Sequence, residues 1–324
     1  MASTATPLRP EGRPPLDLTG KKSRQRSEEI IRYLLITCAL LTVLTTVGIV
    51  LVLLVEAVQF FRDIPISEFL FGTTWTALFS GEQQKFGVIP LVMGTLMTSL
   101  VAALLALPLG LAAAIYLSEF ASERARSILK PILEILAGVP TIVYGFFALT
   151  FITPYLLEPI FPKIGTFNGL SAGIAIGIMA MPTVASLSED AIRSVPRSLR
   201  EAAYGLGATK FETTVRVVLP AAISGVVASF ILAISRAVGE TMIVAVAAGQ
   251  APAGQSGGSS SLFDLQHSMQ TMTGFIAYTF SSDVARGTTA FYSLFGVGLL
   301  LFIMTLVMNM FSQWVTNRFR EEYE

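Results

Sequence analysis

Two charged residues, Arg236 and Glu240, lie inside the apolar run LAISRAVGETMIVAV at 232–246. They are four positions apart, so a continuous helix would place them on one face and close enough to pair. A guanidinium presents a planar fork that matches the oxygens of an anion such as phosphate. The pair therefore predicts an oxyanion contact in which Glu240 holds the arginine in place while no anion is bound. The alternative is an ion pair that only fixes helix packing, where desolvation offsets the attraction.

The composition places these charges in a membrane. Of the 324 residues, 53% are hydrophobic and 14% are charged, whereas soluble domains carry about 25% charged residues. A charged side chain at the bilayer centre costs about 2.5–3.5 kcal/mol and is expected to face a bundle interior or a water-filled path. Arg236 lies near the middle of its apolar run, and we expect it to face such a path. The formal net charge of zero indicates no particular partner.

Six apolar stretches are long enough to cross a bilayer, which needs about 20 residues per helix. They lie at roughly 33–58, 88–117, 132–153, 170–187, 221–248 and 289–314. We therefore predict an all-α membrane protein in which 30–324 forms one transmembrane domain. Pro108 and Pro140, inside the second and third spans, predict kinks. Residues 1–29 are rich in Pro, Ser, Thr and charge, so they are expected to form a disordered tail.

Lysine and arginine placement predicts the orientation. With the N-terminus inside, 17 of the 22 basic residues fall in inner segments, and cytoplasmic loops carry such an excess. Both termini are therefore expected in the cytoplasm. The loop 249–288 then lies outside, and its part LFDLQHSMQTMTGFIAYTF is expected to form a helix at the membrane surface.

The inner loop 188–220 predicts a helix, a glycine turn and a second helix. Pro196 fits the first turn of a helix, and Gly207 ends that helix. The run TKFE at 209–212 is typical of a capping box. The second helix is expected to carry one apolar face at helical spacing. That face consists of Phe211, Val215, Val218 and Leu219.

Two functions remain open for this loop on spacing alone. It can be an amphipathic connector that rests on lipid headgroups, or a docking element for a soluble partner. Small residues at Ala202, Ala203 and Ala208 would allow a partner backbone to approach, and Glu201 offers a charge for a basic residue.

The stretch EAAYGLGATKFETTVRVVLPAAISGV, which begins at Glu201, resembles the coupling loop of permease subunits in bacterial ABC importers. The family pattern of Glu-Ala-Ala, three residues, Gly and a later Leu-Pro is matched by Glu201-Ala202-Ala203, Gly207 and Leu219-Pro220. In that family the loop inserts into a groove of the ATP-binding subunit. The resemblance implies that Glu201, Ala202, Ala203 and Gly207 couple this chain to an ATPase.

Further segments, 94–122, 136–149 and 234–249, are similar to phosphate-specific (Pst) transporter permeases, and the loops at 67–75 and 269–277 resemble the PstC kind. This resemblance implies a type I ABC importer permease fold that forms half of a phosphate path, in a multi-pass protein of the bacterial inner membrane. The implied partners are a PstA-like permease, a dimer of a PstB-like ATP-binding subunit and a PstS-like phosphate-binding protein.

The same resemblance implies roles in phosphate passage for Arg236 and Glu240. Thr141 and Tyr144, in the third span, are further candidate contacts for the anion. Other oxyanions also suit an arginine, because sulfate, molybdate and phosphonate importers share the coupling loop. An anion channel is a different class of alternative, although it would leave a docking loop for an ATPase unexplained.

The motifs of several enzyme classes are missing from the sequence. The chain has no G-x-x-x-x-G-K-[ST] run to cradle ATP phosphates and no cysteine cluster, and it has a single histidine, His267. We therefore expect a transport subunit without catalytic residues, metal or cofactor, with ATP and magnesium bound by the partner subunit. Membrane lipid is an expected partner and nucleic acid is not.

Overall fold

The computed structural model describes residues 22–79, 81–252 and 261–318, and helices dominate these ranges. The chain divides into two compact units, Met1–Val52 and Leu53–Glu324. In the first unit, the described residues form one helix whose apolar side chains are largely exposed. Residues 1–21 of the predicted tail lie outside the described residues, and the first helix already begins at Lys22.

Twelve α-helices follow one another along the described residues. Their bounds are α1 Lys22–Asp63, α2 Ile66–Phe71, α3 Ile89–Ile115, α4 Glu123–Ala137, α5 Thr141–Phe147, α6 Gly169–Ser194, α7 Arg197–Gly205, α8 Lys210–Thr213, α9 Leu219–Ala221, α10 Ile223–Val238, α11 Met272–Ser281 and α12 Thr289–Arg318. Wider π-helical turns extend α3 and α5, join α8 to α9 and follow α10. These turns lie at Tyr116–Phe120, Ala148–Leu157, Thr214–Val218 and Val244–Ala248.

Every predicted span has a helical counterpart, but two of them are bent. Parts of α1, α3, α6 and α12 are long and apolar enough to cross a membrane. The number of candidate spans rises to 6 if each of two bent pairs counts as one span: Glu123–Ala137 with Thr141–Leu157, at 89°, and Lys210–Ala221 with α10, at 71°. Pro140 precedes α5 at the first bend, as predicted. Pro108 lies inside the continuous helix α3, and its predicted kink stays a prediction.

Helices α3 and α6 pack so closely that their backbones are almost in contact. A Cβ atom added to Gly173 would lie 2.6 Å from the Val101 Cβ, and one on Gly177 would lie 3.0 Å from the Ala102 carbonyl oxygen. In lipid, small residues hold helices together because they let the backbones approach closely. This contact makes α6 the most buried of the continuous spans, and the other elements around the candidate site pack against it.

The predicted helix–turn–helix in the loop 188–220 is confirmed. α7 begins after Pro196, and Gly207 takes the left-handed conformation with φ +86°. Thr209 and Glu212 form both hydrogen bonds of the capping box. The preceding helix α6 continues to Ser194, beyond the predicted end of the fourth span, so the first part of this loop is helical as well.

The predicted apolar face of the second helix is only half right. Val218 is fully buried and Leu219 packs against the same cluster. Phe211 and Val215, however, are 67% and 43% exposed. The π-helical turn Thr214–Val218 explains the difference, because its wider turn shifts the register between the first and second halves of the helix.

The predicted surface helix in the loop 249–288 is wrong for its first half. Residues 253–260 lie outside the described residues, and helix forms only over Met272–Ser281. The segment Met269–Thr273 is buried instead, with every residue at most 6% exposed. It runs beside α3, where the Gln270 carbonyl oxygen approaches Gly94 so closely that a Cβ there would overlap it.

Candidate functional site

The span that carries Arg236 is interrupted immediately after it. α10 ends at Val238, and helical residues resume only at Met242. The predicted pairing of Arg236 with Glu240 assumed a continuous helix, and this part of the prediction is wrong. Within the described ranges, no ion pair joins the two side chains.

The Glu240 carboxylate is hydrogen-bonded to the residues that follow this break. Its Oε1 atom accepts hydrogen bonds from the backbone N–H groups of Met242, at 3.0 Å, and Ile243, at 3.3 Å. A carboxylate at the start of a helical segment is stabilised by these otherwise unpaired N–H groups. The Glu240 carbonyl oxygen accepts a third bond, of 2.7 Å, from the Thr273 hydroxyl. Glu240 therefore caps the second half of the span.

Arg236 is left without a carboxylate. Its side chain is exposed on this chain, and it forms no hydrogen bond or ion pair with any other residue that the structure describes. A guanidinium carries five N–H donors, and none of them is bonded to a residue that the structure describes. Ala237, the residue after Arg236, packs in the same apolar cluster as Tyr144, so Arg236 and Tyr144 belong to one region of the bundle.

Tyr144 belongs to the apolar cluster that surrounds the break. It is 5% exposed and packs in the same cluster as Ala237 and Ile243. Its hydroxyl donates to the Leu136 carbonyl oxygen at 2.7 Å, across the bend between α4 and α5. In this conformation the Tyr144 proton is used within the chain. Thr141, at the first position of α5, is half-buried, and its hydroxyl bonds no other described residue.

The predicted coupling residues lie together at the turn between α7 and α8. Glu201, Ala202 and Gly207 are exposed, whereas Ala203 is 8% exposed. The Ala203 carbonyl oxygen accepts from the Ala208 N–H at 3.1 Å, which closes the turn around Gly207. The large apolar side chains at this turn point outward. Tyr204, Leu206 and Phe211 are 43%, 91% and 67% exposed.

Arg200 connects this turn to the membrane helices, and the sequence patterns did not single it out. Its guanidinium donates to Glu119 at 3.0 Å, just after α3, and to the carbonyl oxygens of Ile192 and Val195 at the end of α6. The Arg200 and Glu119 side chains are only 16% and 7% exposed. Arg200 therefore ties α7 to the turn after α3 and to the end of α6.

A second ionic cluster, centred on Glu189 of α6, was also missed. The Glu189 side chain is 1% exposed, and its carboxylate lies 2.6 Å from Arg126, 2.8 Å from Lys130 and 3.7 Å from Arg193. Lys130 also contacts Asp190 at 3.2 Å. In the sequence, these basic residues predict only the orientation of the chain. A carboxylate at the end of an apolar run, next to a basic loop, is the pattern that would have indicated the cluster.

These two clusters border a polar cleft of about 380 Å³ beside α7. Four arginines line the cleft, and Glu201 and Tyr204 of α7 lie at the same cleft. The arginines are Arg126, Arg193, Arg197 and Arg200. The turn between α7 and α8 thus combines exposed apolar side chains with an adjoining charged cleft.

The family of the chain follows from sequence comparison. The family described as "Binding-protein-dependent transport system inner membrane component" matches residues 106–321, so the chain belongs to this family of transport components. One relative, the "Probable ABC transporter permease protein YqgH" of Bacillus subtilis, is 32% identical over 305 residues, which cover 93% of this chain and 94% of the relative. A "Phosphate transport system permease protein PstC" of Xylella fastidiosa is 32% identical and covers 74% of this chain and 75% of its own length.

Solved structures support the same fold. The inward-facing MetNI methionine ABC transporter aligns with a TM-score of 0.55 at 19% identity, over 70% of this chain and 94% of the aligned chain. At this identity the likeness concerns the fold alone. The predicted type I ABC importer permease fold is confirmed, and the chain is a multi-pass, inner-membrane component of a transporter.

Proposed function

We propose that this chain is the permease subunit of an ATP-driven importer of inorganic phosphate, and that it forms half of an alternating-access path. Arg236 carries the proposal. It is a guanidinium in an otherwise apolar span, it has no carboxylate partner in the described chain, and it lies at a break in the helix. Charged residues in such positions are typical of substrate paths. The names of the PstC relatives favour phosphate as the substrate.

We assign different roles to the two charged residues, Arg236 and Glu240. Arg236 would contact the anion with its planar fork. Glu240 would not neutralise it directly, since its carboxylate already caps the residues after the break. It would instead keep that break in place and oppose an overly tight complex through its negative charge. Thr141 would offer a hydroxyl to the anion, and Tyr144 would do so only after releasing Leu136.

Transport by reconstituted vesicles tests the substrate. We expect ATP-dependent uptake of radiolabelled phosphate when the vesicles contain the whole transporter and are given the loaded binding protein. Sulfate uptake at the same concentration should remain at background. Equal uptake of sulfate, molybdate or phosphonate would favour another oxyanion importer. Phosphate flux that needs neither ATP nor binding protein would indicate a channel and contradict the proposal.

The ATP-binding partner is proposed to dock on the turn between α7 and α8. Exposed apolar side chains outside a membrane span are typical of a binding surface, and Tyr204, Leu206 and Phe211 are exposed here. The sequence contains no phosphate-binding loop of its own, so ATP and magnesium would be bound by that partner, a PstB-like dimer. A PstA-like permease would complete the path, and a PstS-like protein would deliver phosphate. This arrangement would place the turn and both termini in the cytoplasm.

Two glycines of this turn provide a matched test of docking. Gly207 has φ +86°, where a β-branched residue is strained, whereas Gly205 lies within α7; neither has an atom within 4 Å of an added Cβ. We expect Gly207→Val to change the shape of the turn and to lower phosphate-stimulated ATP hydrolysis by about tenfold, if the distortion costs about 1–2 kcal/mol. Gly205→Val should have a smaller effect. The docking role is wrong if both variants bind the ATPase and hydrolyse ATP as the parent does.

A further inference from the structure

The buried segment Met269–Thr273 is part of the loop 249–288, and it is hydrogen-bonded to residues at the helix break. Its N–H at Met269 donates to the Ala248 carbonyl oxygen at 2.9 Å, where the interrupted span ends. Its N–H at Met272 donates to the Thr95 hydroxyl at 3.0 Å, on α3. The segment is thus bonded both to the span that carries the charges and to a neighbouring span.

Thr273 completes this connection at the break itself. Its hydroxyl, in a residue only 6% exposed, donates to the Glu240 carbonyl oxygen at 2.7 Å. The neighbouring Thr271 hydroxyl lies 3.2 Å from that of Thr273 and accepts from the Gly274 N–H, which fixes the start of α11. A backbone carbonyl released by a helix break needs a donor in a membrane interior, and Thr273 supplies one from 33 residues further along the chain.

We propose that Thr273 is a positioning residue for the transport path: its hydroxyl holds Glu240 and the helix break in place, so that movement of residues 261–268 is transmitted to Arg236 and Glu240. This inference rests on the proposed function, because it takes those two residues as part of the path. It assigns residues 261–268 a direct mechanical connection to the charged break, made through Met269–Thr273.

The chain provides its own matched control. Thr279 lies on the same helix, α11, and is 2% exposed, but its hydroxyl has no hydrogen-bond partner among the described residues. Thr273→Val and Thr279→Val are therefore the same chemical change at two buried positions, and only the first removes a bond. Thr273→Ser is the complementary change, since it keeps the hydroxyl and removes the methyl group.

Opening of the break can be measured with a cysteine at position 243. Ile243 is fully buried and its N–H is bonded to Glu240, so a thiol there reacts only when the break opens. The single native cysteine, Cys38, is first replaced by alanine. The probe is a membrane-impermeant maleimide, applied to Ile243→Cys in the assembled transporter in membrane vesicles. The measured quantity is the labelling rate.

We expect Thr273→Val to raise the labelling rate at least about fivefold, because a buried carbonyl loses its donor. Thr279→Val and Thr273→Ser should stay within about twofold of the parent, since both retain the bond. The proposal is overturned if Thr273→Val matches Thr279→Val, or if Thr273→Ser matches Thr273→Val. Labelling needs no phosphate, so a transporter of another oxyanion would fail the uptake test and still give a valid labelling result.

Discussion

Glu189→Gln is expected to lower the free energy of unfolding by about 3 kcal/mol, which lies at the lower end of the range for breaking a buried ion pair. Glutamine keeps the size of the side chain but removes the charge that Arg126, Lys130 and Arg193 share. The lower end applies because the Arg126 and Lys130 side chains are 26% and 28% exposed and can recruit water. Reversible unfolding titrations in mixed detergent micelles would measure the loss.

Asp190→Asn is the matched control for this experiment. Asp190 is the next residue and contacts the same Lys130 at 3.2 Å, but its side chain is 60% exposed. Exposed ion pairs contribute about 0–1 kcal/mol, so the control should change stability by about 0.5 kcal/mol or less. Equal losses in the two variants would contradict a special role for the buried carboxylate and would indicate a general charge effect.

The Glu189 cluster also matters for the path, because it anchors α4. Arg126 and Lys130 both lie on α4 and tie it to α6. α4 continues across the bend into α5, where Tyr144 bonds back to Leu136. Ionic contacts at one end of the bundle are therefore connected through one bent span to the residues around the break.

The spans were predictable because their length is set by the bilayer rather than by tertiary contacts. A run of about 20 apolar residues is a property of local sequence. The bend at Pro140 was predictable for a similar reason, since proline lacks the N–H that a continuous helix needs. The capping box of Thr209 and Glu212 likewise depends on residues three positions apart. Each of these features is decided within a few turns of chain.

The break after Arg236 was not predictable in this way. Gly239 is tolerated in membrane helices, and the local pattern gave no reason to end the helix there. The carbonyl released at Glu240 is bonded by Thr273 and not by a neighbour in sequence. The Glu189 cluster joins residues 59 and 63 positions apart. Both features depend on which helices are adjacent, and composition and spacing do not specify that.

Arg236→Lys is expected to reduce phosphate uptake by about tenfold to a hundredfold while the protein still inserts and assembles. Lysine keeps the positive charge but loses the planar fork, and a hydrogen bond to a charged group contributes about 1.5–3 kcal/mol. The measurement is the initial rate of ATP-driven uptake of radiolabelled phosphate in proteoliposomes, normalised to assembled transporter. Arg62→Lys is the control, because Arg62 is exposed and its one side-chain hydrogen bond to a described residue is a 3.5 Å contact with Gln59.

A double variant separates the anion contact from the alternative of a packing ion pair. If Arg236 served only to neutralise Glu240, then Arg236→Gln would be harmful chiefly because it leaves a carboxylate unpaired, and adding Glu240→Gln would restore uptake. The structure makes this recovery unexpected, because Glu240 is already bonded to Met242 and Ile243 and forms no ion pair with Arg236 in the described chain. We therefore expect the double variant to remain as inactive as Arg236→Gln. Recovery, or normal uptake by Arg236→Lys, would show that the guanidinium does not bind the anion.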